Sequence, residues 1–186
     1  MANGMLETKV ITGKVRLSYA HVWEPTSRDE GQEKKYSCSL IIPKTDTKTI
    51  DALNKATENA KKNGLVKLGG KIPPNLKLPL RDGDDERPDD DSYANSYFIN
   101  VSARTKPGIV DIHRNPILSQ DELYSGCYVI VSVNLYAYNA SGNRGIAAGL
   151  NNIMKIADGE HLGGRVSAEN DFADLDLSDF ELDLLG

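Results

Sequence analysis

Residues 127–138, CYVIVSVNLYAY, decide the fold. Val129, Val131, Val133, Leu135 and Ala137 form an unbroken aliphatic face at every second position. Tyr128, Ile130, Ser132, Asn134, Tyr136 and Tyr138 form the other face. A period of two held this long marks a strand with one side in a core. The turn from Asn139 to Gly145 (NASGNRG) leads into a further strand over about 145–156. Its Ser-Gly-Asn supplies the positive-φ residues that a hairpin needs.

Working outward, residues 8–19 (TKVITGKVRLSY) alternate as well, with Ile11, Val15 and Leu17 on one side and Thr12, Lys14, Arg16 and Ser18 on the other. A polar loop, Glu24 to Glu33, separates them from a second strand, 34–42, with Cys38, Leu40 and Ile42 inward and Lys35, Ser37 and Ser39 outward. From Asp46 to Asn63 the period changes: Ile50, Leu53, Ala56 and Ala60 recur every three or four residues, with Thr45 or Asp46 as cap and Gly64 as stop. This spacing predicts a helix whose lysines decorate a solvated face. Residues 65–92 read as irregular, and a stretch of that length is functional or mobile. Alternation returns over 93–105, with Tyr97, Ile99, Val101 and Ala103 on one face and Phe98, Asn100, Ser102 and Arg104 on the other. The expectation is a mainly β domain, an antiparallel five-stranded, partly closed barrel with one helix, over residues 1–164. The helix is placed at about 46–63 and an acidic loop at 81–92; residues 165–186 read as a flexible acidic tail.

Charge is segregated along the chain. It has 22 basic and 27 acidic residues, a net of −5. Residues 169–186 hold seven of the acids and no Lys or Arg, so residues 1–168 carry 22 bases against 20 acids. The cluster Arg81 to Ser92 holds seven more acids and two Arg; without it the body has 20 bases against 13 acids. A basic body with an acidic, Phe- and Leu-bearing end suggests a terminus that imitates the ligand. That ligand is a polyanion with stackable rings, single-stranded nucleic acid.

The candidate surface follows from the strand faces. Tyr128, Tyr136 and Tyr138 lie opposite a complete core face, where flat rings can stack bases. Lys14, Arg16, Lys34, Lys35, Arg104, Lys106 and Arg144 are the cations expected to track phosphates, and Trp23, Tyr36 and Phe98 the further aromatics. The competing use of each ring is packing beneath the helix, a loop or a second subunit. In the tail, Asp171, Phe172, Asp174, Asp176, Asp179, Phe180, Glu181 and Asp183 alternate acidic with apolar character, as in segments that dock into basic, apolar grooves; a purely solubilising tail is the alternative.

Other classes find little support. The 82–91 carboxylates fail the calcium-loop pattern, because Arg87 stands where the turn needs Gly, which weakens a metal-dependent nuclease reading. His21, His113 and His161 have no ligand spacing, and no phosphate loop or nucleophile elbow is present. No enzyme and no cofactor are expected. Cys38 and Cys127 read as free buried thiols of a reducing compartment, the cytoplasm. No apolar run reaches the roughly 18–20 residues of a membrane helix. A module contacting only proteins remains the alternative to nucleic-acid binding. A homodimer is a further expectation, since sheet edges and tail exchange invite pairing.

The runs VITGKVRLSYAHVWEP, YSCSLIIPKTDTKTIDAL, PLRDGDDERPDDDSY, YSGCYVIVSVNLYAYNASGNRGIAAGLNNI and DGEHLGGRVSAENDF resemble a family of bacteriophage single-stranded DNA-binding proteins, over roughly residues 8–173. The resemblance implies an OB-fold core with a mobile acidic C-terminus. It implies sequence-independent coating of single strands in phage replication, recombination and repair, in the host cytoplasm, with tail contacts to replication proteins. Within the matching blocks, Lys14 and Arg16 belong to GKVRLSY, Tyr124 and Tyr128 to YSGCY, and Tyr136 and Tyr138 to NLYAYN. Two departures stand out. Only two strands precede the helix where the usual OB order has three. The chain ends Leu-Leu-Gly where some acidic-tailed relatives end in Phe, leaving Phe172 or Phe180 to dock.

Overall fold

Alternating strands bury their aliphatic faces by closing on one another. In the computed structural model, which describes residues 5–27, 29–162 and 172–179, five strands close into a ring. β7 (Tyr128–Ala140) pairs with β2 (Val15–Thr26), β2 with β3 (Lys35–Pro43), and β3 with β5 (Ser96–Ala103). β5 then pairs with β8 (Asn143–Ala157), and β8 returns to β7. Only the β5–β8 closure is parallel. This strand order is that of the OB-fold. Three short strands extend the ring: β1 (Lys9–Ile11) on β7, β4 (Leu80–Asp82) on β5, and β6 (Gly108–Val110) parallel to β8. β6 was not expected from the sequence.

The core is the face read from residues 129–137, joined by Leu17, Leu40, Ile42, Ile99, Val101, Ile146 and Ile153. Helix α1 (Thr47–Asn63) is inserted between the second and third barrel strands, which accounts for the missing third strand before it. The Asp46 side chain accepts the Thr49 N–H at 3.2 Å to start it, and the Gly64 N–H ends it on the Ala60 carbonyl at 2.9 Å. Leu53, Ala56 and Ala60 are buried. A Cβ at Gly64 would collide with the Ala137 side chain, so the helix end lies directly on β7.

Residues 8–19 are not one strand. Thr12 leaves the ladder to exchange two hydrogen bonds with Val131, its N–H donating to that carbonyl and its hydroxyl accepting that N–H, each at 3.0 Å. Gly13 donates to the Thr49 hydroxyl at 2.9 Å. The break reverses the parity, so Val10 is buried and Ile11, expected inward, is 65% exposed. The strand that follows runs on to Thr26, past the expected loop start at Glu24. The hairpin turn narrows to Ser141 and Gly142, both at positive φ (52° and 89°), as a two-residue turn of this kind demands.

Residues 65–92 are ordered by their neighbours rather than by a pattern of their own. Leu68 is fully buried, and Lys77 exchanges backbone hydrogen bonds with β8, its N–H to the Arg144 carbonyl and its carbonyl from Ile146. The acidic cluster is a built segment. Asp82 caps one helical turn, α2 (Gly83–Glu86), and Asp90 caps a 3-10 turn at Asp91–Tyr93. The Tyr93 ring then seats on the outer face of β3 and β5. It packs edge-on to Phe98 at 5.2 Å, and its hydroxyl donates to Ser39 at 3.2 Å. Ile41, Tyr93 and Phe98 form a second small core outside the barrel.

Candidate nucleic-acid interface

The outer faces of β3, β5 and β8 form a floor of small side chains. Ser37 lies opposite Ser102 and Ser39 opposite Asn100; across the parallel β5–β8 pairing Ser102 lies beside Gly149, and across the antiparallel β7–β8 pairing Ala147 lies opposite Tyr136. Over this floor run two depressions that share Asn100 and Ser102. One, about 730 Å³, is bounded by Tyr19, His21, Lys35 and Arg87; the other, about 570 Å³, by Lys77, Arg81 and Tyr138. Together they make one groove across the barrel. The acids that line it, Glu33 and Glu86, are each paired with an arginine, Arg104 at 3.2 Å and Arg81 at 2.8 Å. Lys35, Arg87 and Lys77 stand in no ion pair among the described residues. The groove is therefore cationic even though the chain is acidic.

A ring stands toward each end of the floor. Tyr136 is 42% exposed on β7. Tyr19 is 51% exposed and sits at φ 46°, a left-handed conformation uncommon for so bulky a residue. The β2–β3 register shifts there, between Ser18 and His21. Such a bulge re-aims a side chain out of the ladder, and here it delivers Tyr19 beside Arg87. The Arg87 guanidinium lies 5.2 Å from the Tyr19 ring centre and 4.8 Å from those of both Tyr93 and Phe98.

The expected site residues separate into groups. Lys35 and Tyr138 line the groove, and Tyr136 stands on the adjoining strand face. Arg104 reaches its rim through Glu33, Lys34 is exposed in the preceding loop, and Tyr36 is half-buried. Lys106 lies 5.0 Å over the Trp23 ring, whose N–H donates to the Leu123 carbonyl at 3.0 Å, so one edge of the indole is committed to the barrel. Tyr128 lies at the other end of β7, eight residues and about 26 Å from Tyr136 along an extended strand. There it is flanked by Lys14 and Arg16, 5.4 and 5.7 Å from its ring centre. The Arg16 guanidinium is occupied by the carbonyls of Gly126 and Glu160, at 3.1 and 2.7 Å. Nearby, Tyr124 stacks on His161 at 4.0 Å.

One residue requires correction, and a second has a structural role as well. Phe98 is on the outer face as expected but is only 1% exposed, because Tyr93 covers it; no base can stack there. Arg144 is structural in part: it donates to the Leu68 carbonyl at 3.1 Å and lies against Gly69. In the tail, Phe172 is exposed, as are Asp174 and Asp176, and Asp176 accepts from Ser178. Asp171, Phe180, Glu181 and Asp183, and the side chain of Asp179, lie outside the described residues. Sequence reasoning missed Tyr19, His21, Arg87, Asn100 and Ser102. The only signal for the last two was the run of small outward residues on adjacent strands.

The acidic segment is fixed beside the groove by Lys44, which donates to Asp84 at 2.8 Å and Asp82 at 3.0 Å. The Lys44 hydrogen bond, then the N–H of Asn95, holds the Asp84 carboxyl below its ordinary value; the same pairing raises Lys44. A carboxyl lowered by folding stabilises the native state at and above its ordinary range, and this is lost as pH falls through the lowered value. Amide-exchange protection at Asn95 is therefore expected to stay flat from neutral pH to about pH 4 and fall below it. Asp84→Asn should remove that acid step; an identical acid profile in the variant would count against this anchor. Burial pushes Cys38 up to about 12 and also raises Cys127, so both remain thiols rather than nucleophilic thiolates.

An OB-barrel with an open, cationic, small-residue groove and rings toward its ends defines a protein built to hold an extended polymer. The family model described as "Enterobacter phage Enc34, ssDNA-binding protein" matches residues 8–183, and the chain belongs to that family. It is 31% identical over 181 residues to putative protein p50 of Acyrthosiphon pisum secondary endosymbiont phage 1, covering 93% of this chain and 97% of that one. The single-stranded DNA-binding protein from bacteriophage Enc34, solved in complex with ssDNA, superposes with a TM-score of 0.76 at 28% identity, over 84% of this chain and 90% of that chain. The fold is also that of gp2.5, a single-stranded DNA-binding protein encoded by bacteriophage T7, with a TM-score of 0.61 at 16% identity over 97% of this chain and 98% of that one. The family and its solved members are ssDNA-binding proteins by description, and the chain is accordingly not an enzyme.

Proposed function

We propose that this protein binds single-stranded DNA without regard to sequence, in phage replication, recombination and repair in the host cytoplasm. The observation that carries this reading is the groove, whose floor of Ser, Asn, Ala and Gly runs between Tyr19 and Tyr136 with cations along it that stand in no ion pair among the described residues. Small residues let flat bases approach the sheet, exposed rings stack them, and Lys35, Arg87 and Lys77 face the phosphates. Family membership supports the same ligand. In this reading Lys14, Arg16 and Tyr128 form an outlying contact rather than the centre.

Residues 1–164 form the binding domain and 165–186 an acidic tail that competes for the groove and recruits replication and recombination proteins. Supporting this, the chain leaves the barrel beside the groove: Leu162 donates its N–H to the Ser125 carbonyl at 2.9 Å and shares a cleft with Tyr19 and His21. A tethered anion starting there competes at high effective concentration.

Titration of oligo-dT followed by the fluorescence of Trp23, the only tryptophan, tests both statements. Single strands should bind in preference to duplex, with affinity falling as salt rises. Deleting 169–186 should tighten binding by about 3–10-fold at low salt. A flat titration transfers the protein to the class that contacts only proteins. Unchanged affinity on deletion refutes competition by the tail and leaves DNA binding standing.

A further inference from the structure

We propose that the loop between α1 and β4, residues 64–79, carries a second stretch of the DNA track, engaged only by strands longer than the groove. This rests on the groove being the DNA interface. Lys77 lines the Tyr138 end of the groove and also a further depression of about 350 Å³, which continues over Lys71, Pro74, Asn143 and Arg144. The path therefore does not stop at the barrel edge; it turns onto the loop at the β7–β8 hairpin.

The chemistry of this surface is one-sided. From Asn59 to Leu80 the chain has five lysines and no Asp or Glu. Lys67, Lys71 and Lys77 are exposed and enter no ion pair among the described residues. Beside them Val66 and Ile72 are 91% and 48% exposed. Cations interleaved with open apolar groups suit a polymer that alternates phosphates with flat, weakly polar faces.

The loop is also held in position, unlike an ordinary basic tether. Leu68 is buried in the core; its carbonyl accepts from Arg144, and the Lys67 carbonyl accepts from the Asn139 side chain at 3.3 Å. The Arg144 Nε is buried with no hydrogen-bond partner, and the guanidinium has no carboxylate among the described residues. Its positive charge is left to the depression it lines. Arg144 thus serves the track by placing the loop and by its field.

The test is the double variant Lys67→Glu/Lys71→Glu, titrated with oligo-dT of about 6 and about 16 nucleotides, both within the span of about 4–16 nucleotides for a single OB-fold. Short-strand affinity should stay within about twofold of wild type, whereas long-strand affinity should fall about tenfold or more, with a salt slope shallower by about 1.4 for two lost phosphate contacts. Lys48→Glu/Lys55→Glu on α1 makes the same charge change elsewhere and should leave the long-strand slope unaltered. The proposal is overturned if long-strand affinity and slope survive in the loop variant, or if the helix control loses as much. Failure of the wild-type protein to bind the short strand would instead count against the groove.

Discussion

Replacing Tyr19 and Tyr136 together with alanine is expected to weaken binding of oligo-dT by about 2–6 kcal/mol, at about 1–3 kcal/mol for each stacked base. That is roughly 30-fold to 10⁴-fold in Kd. The two rings are the most exposed tyrosines on the groove side of the barrel, and neither belongs to the core. Their loss should therefore cost little stability, within about 0.5 kcal/mol each for exposed positions. Alanine keeps the Cβ, so it leaves the left-handed backbone of Tyr19 as costly as before. The salt slope should not change, because rings neutralise no phosphate. Lys35→Ala should do the reverse, with a modest loss of affinity and a shallower slope. A double tyrosine variant that binds within about twofold of wild type would remove stacking from the mechanism and leave only electrostatic capture.

The contrast between Tyr19 and Tyr136 shows what alternation can and cannot reveal. Tyr136 lies in a strand whose opposite face is wholly aliphatic, so its outward direction was fixed by its neighbours in sequence. Tyr19 is exposed because a bulge breaks the alternation, and residues 8–19 read as one unbroken alternation that gives no place for the break. Phe98 failed for a related reason. Its face was read correctly, but the ring that covers it is Tyr93, read as the start of the alternating stretch 93–105 and found instead in a 3-10 turn ahead of the strand. Burial there is decided by a contact between a strand residue and the 3-10 turn just before the strand, which period-two spacing does not describe. The helix and its cap were legible because their determinants are local: Asp46, Gly64 and the 3.6-residue spacing lie within one segment. The groove floor was the least legible part. Ser37, Asn100 and Ser102 carry no signature individually, and they become a surface only when β3, β5 and β8 are laid side by side.

The largest stability effect is expected at Tyr93, a residue outside the barrel. Its side chain is fully buried, packs edge-on against Phe98 and donates its hydroxyl to the buried Ser39. Tyr93→Ala should cost about 3–5 kcal/mol, the range for removing a buried aromatic ring. Tyr93→Phe should cost only about 0.5–1.5 kcal/mol, the net value of one hydrogen bond. The two variants also separate packing from function. Without the ring, residues 83–95 lose their main apolar seat on Ile41 and Phe98, and the polar contacts of Lys44 with Asp82 and Asp84, of Arg81 with Glu86, and of Arg87 with Phe98 must hold them. Local opening of that segment then competes with global unfolding, so exchange protection at Asn95 should fall by more than protection in β7. Arg87 belongs to this segment and is held over the Tyr93 and Phe98 rings, so the groove loses a cation's fixed position when the segment lifts. Tyr93→Ala should thus weaken single-strand binding while Tyr93→Phe preserves it. A destabilisation below about 1 kcal/mol in the alanine variant would mean the segment is not anchored by this ring. Normal DNA affinity with a lifted segment would remove Arg87 from the interface.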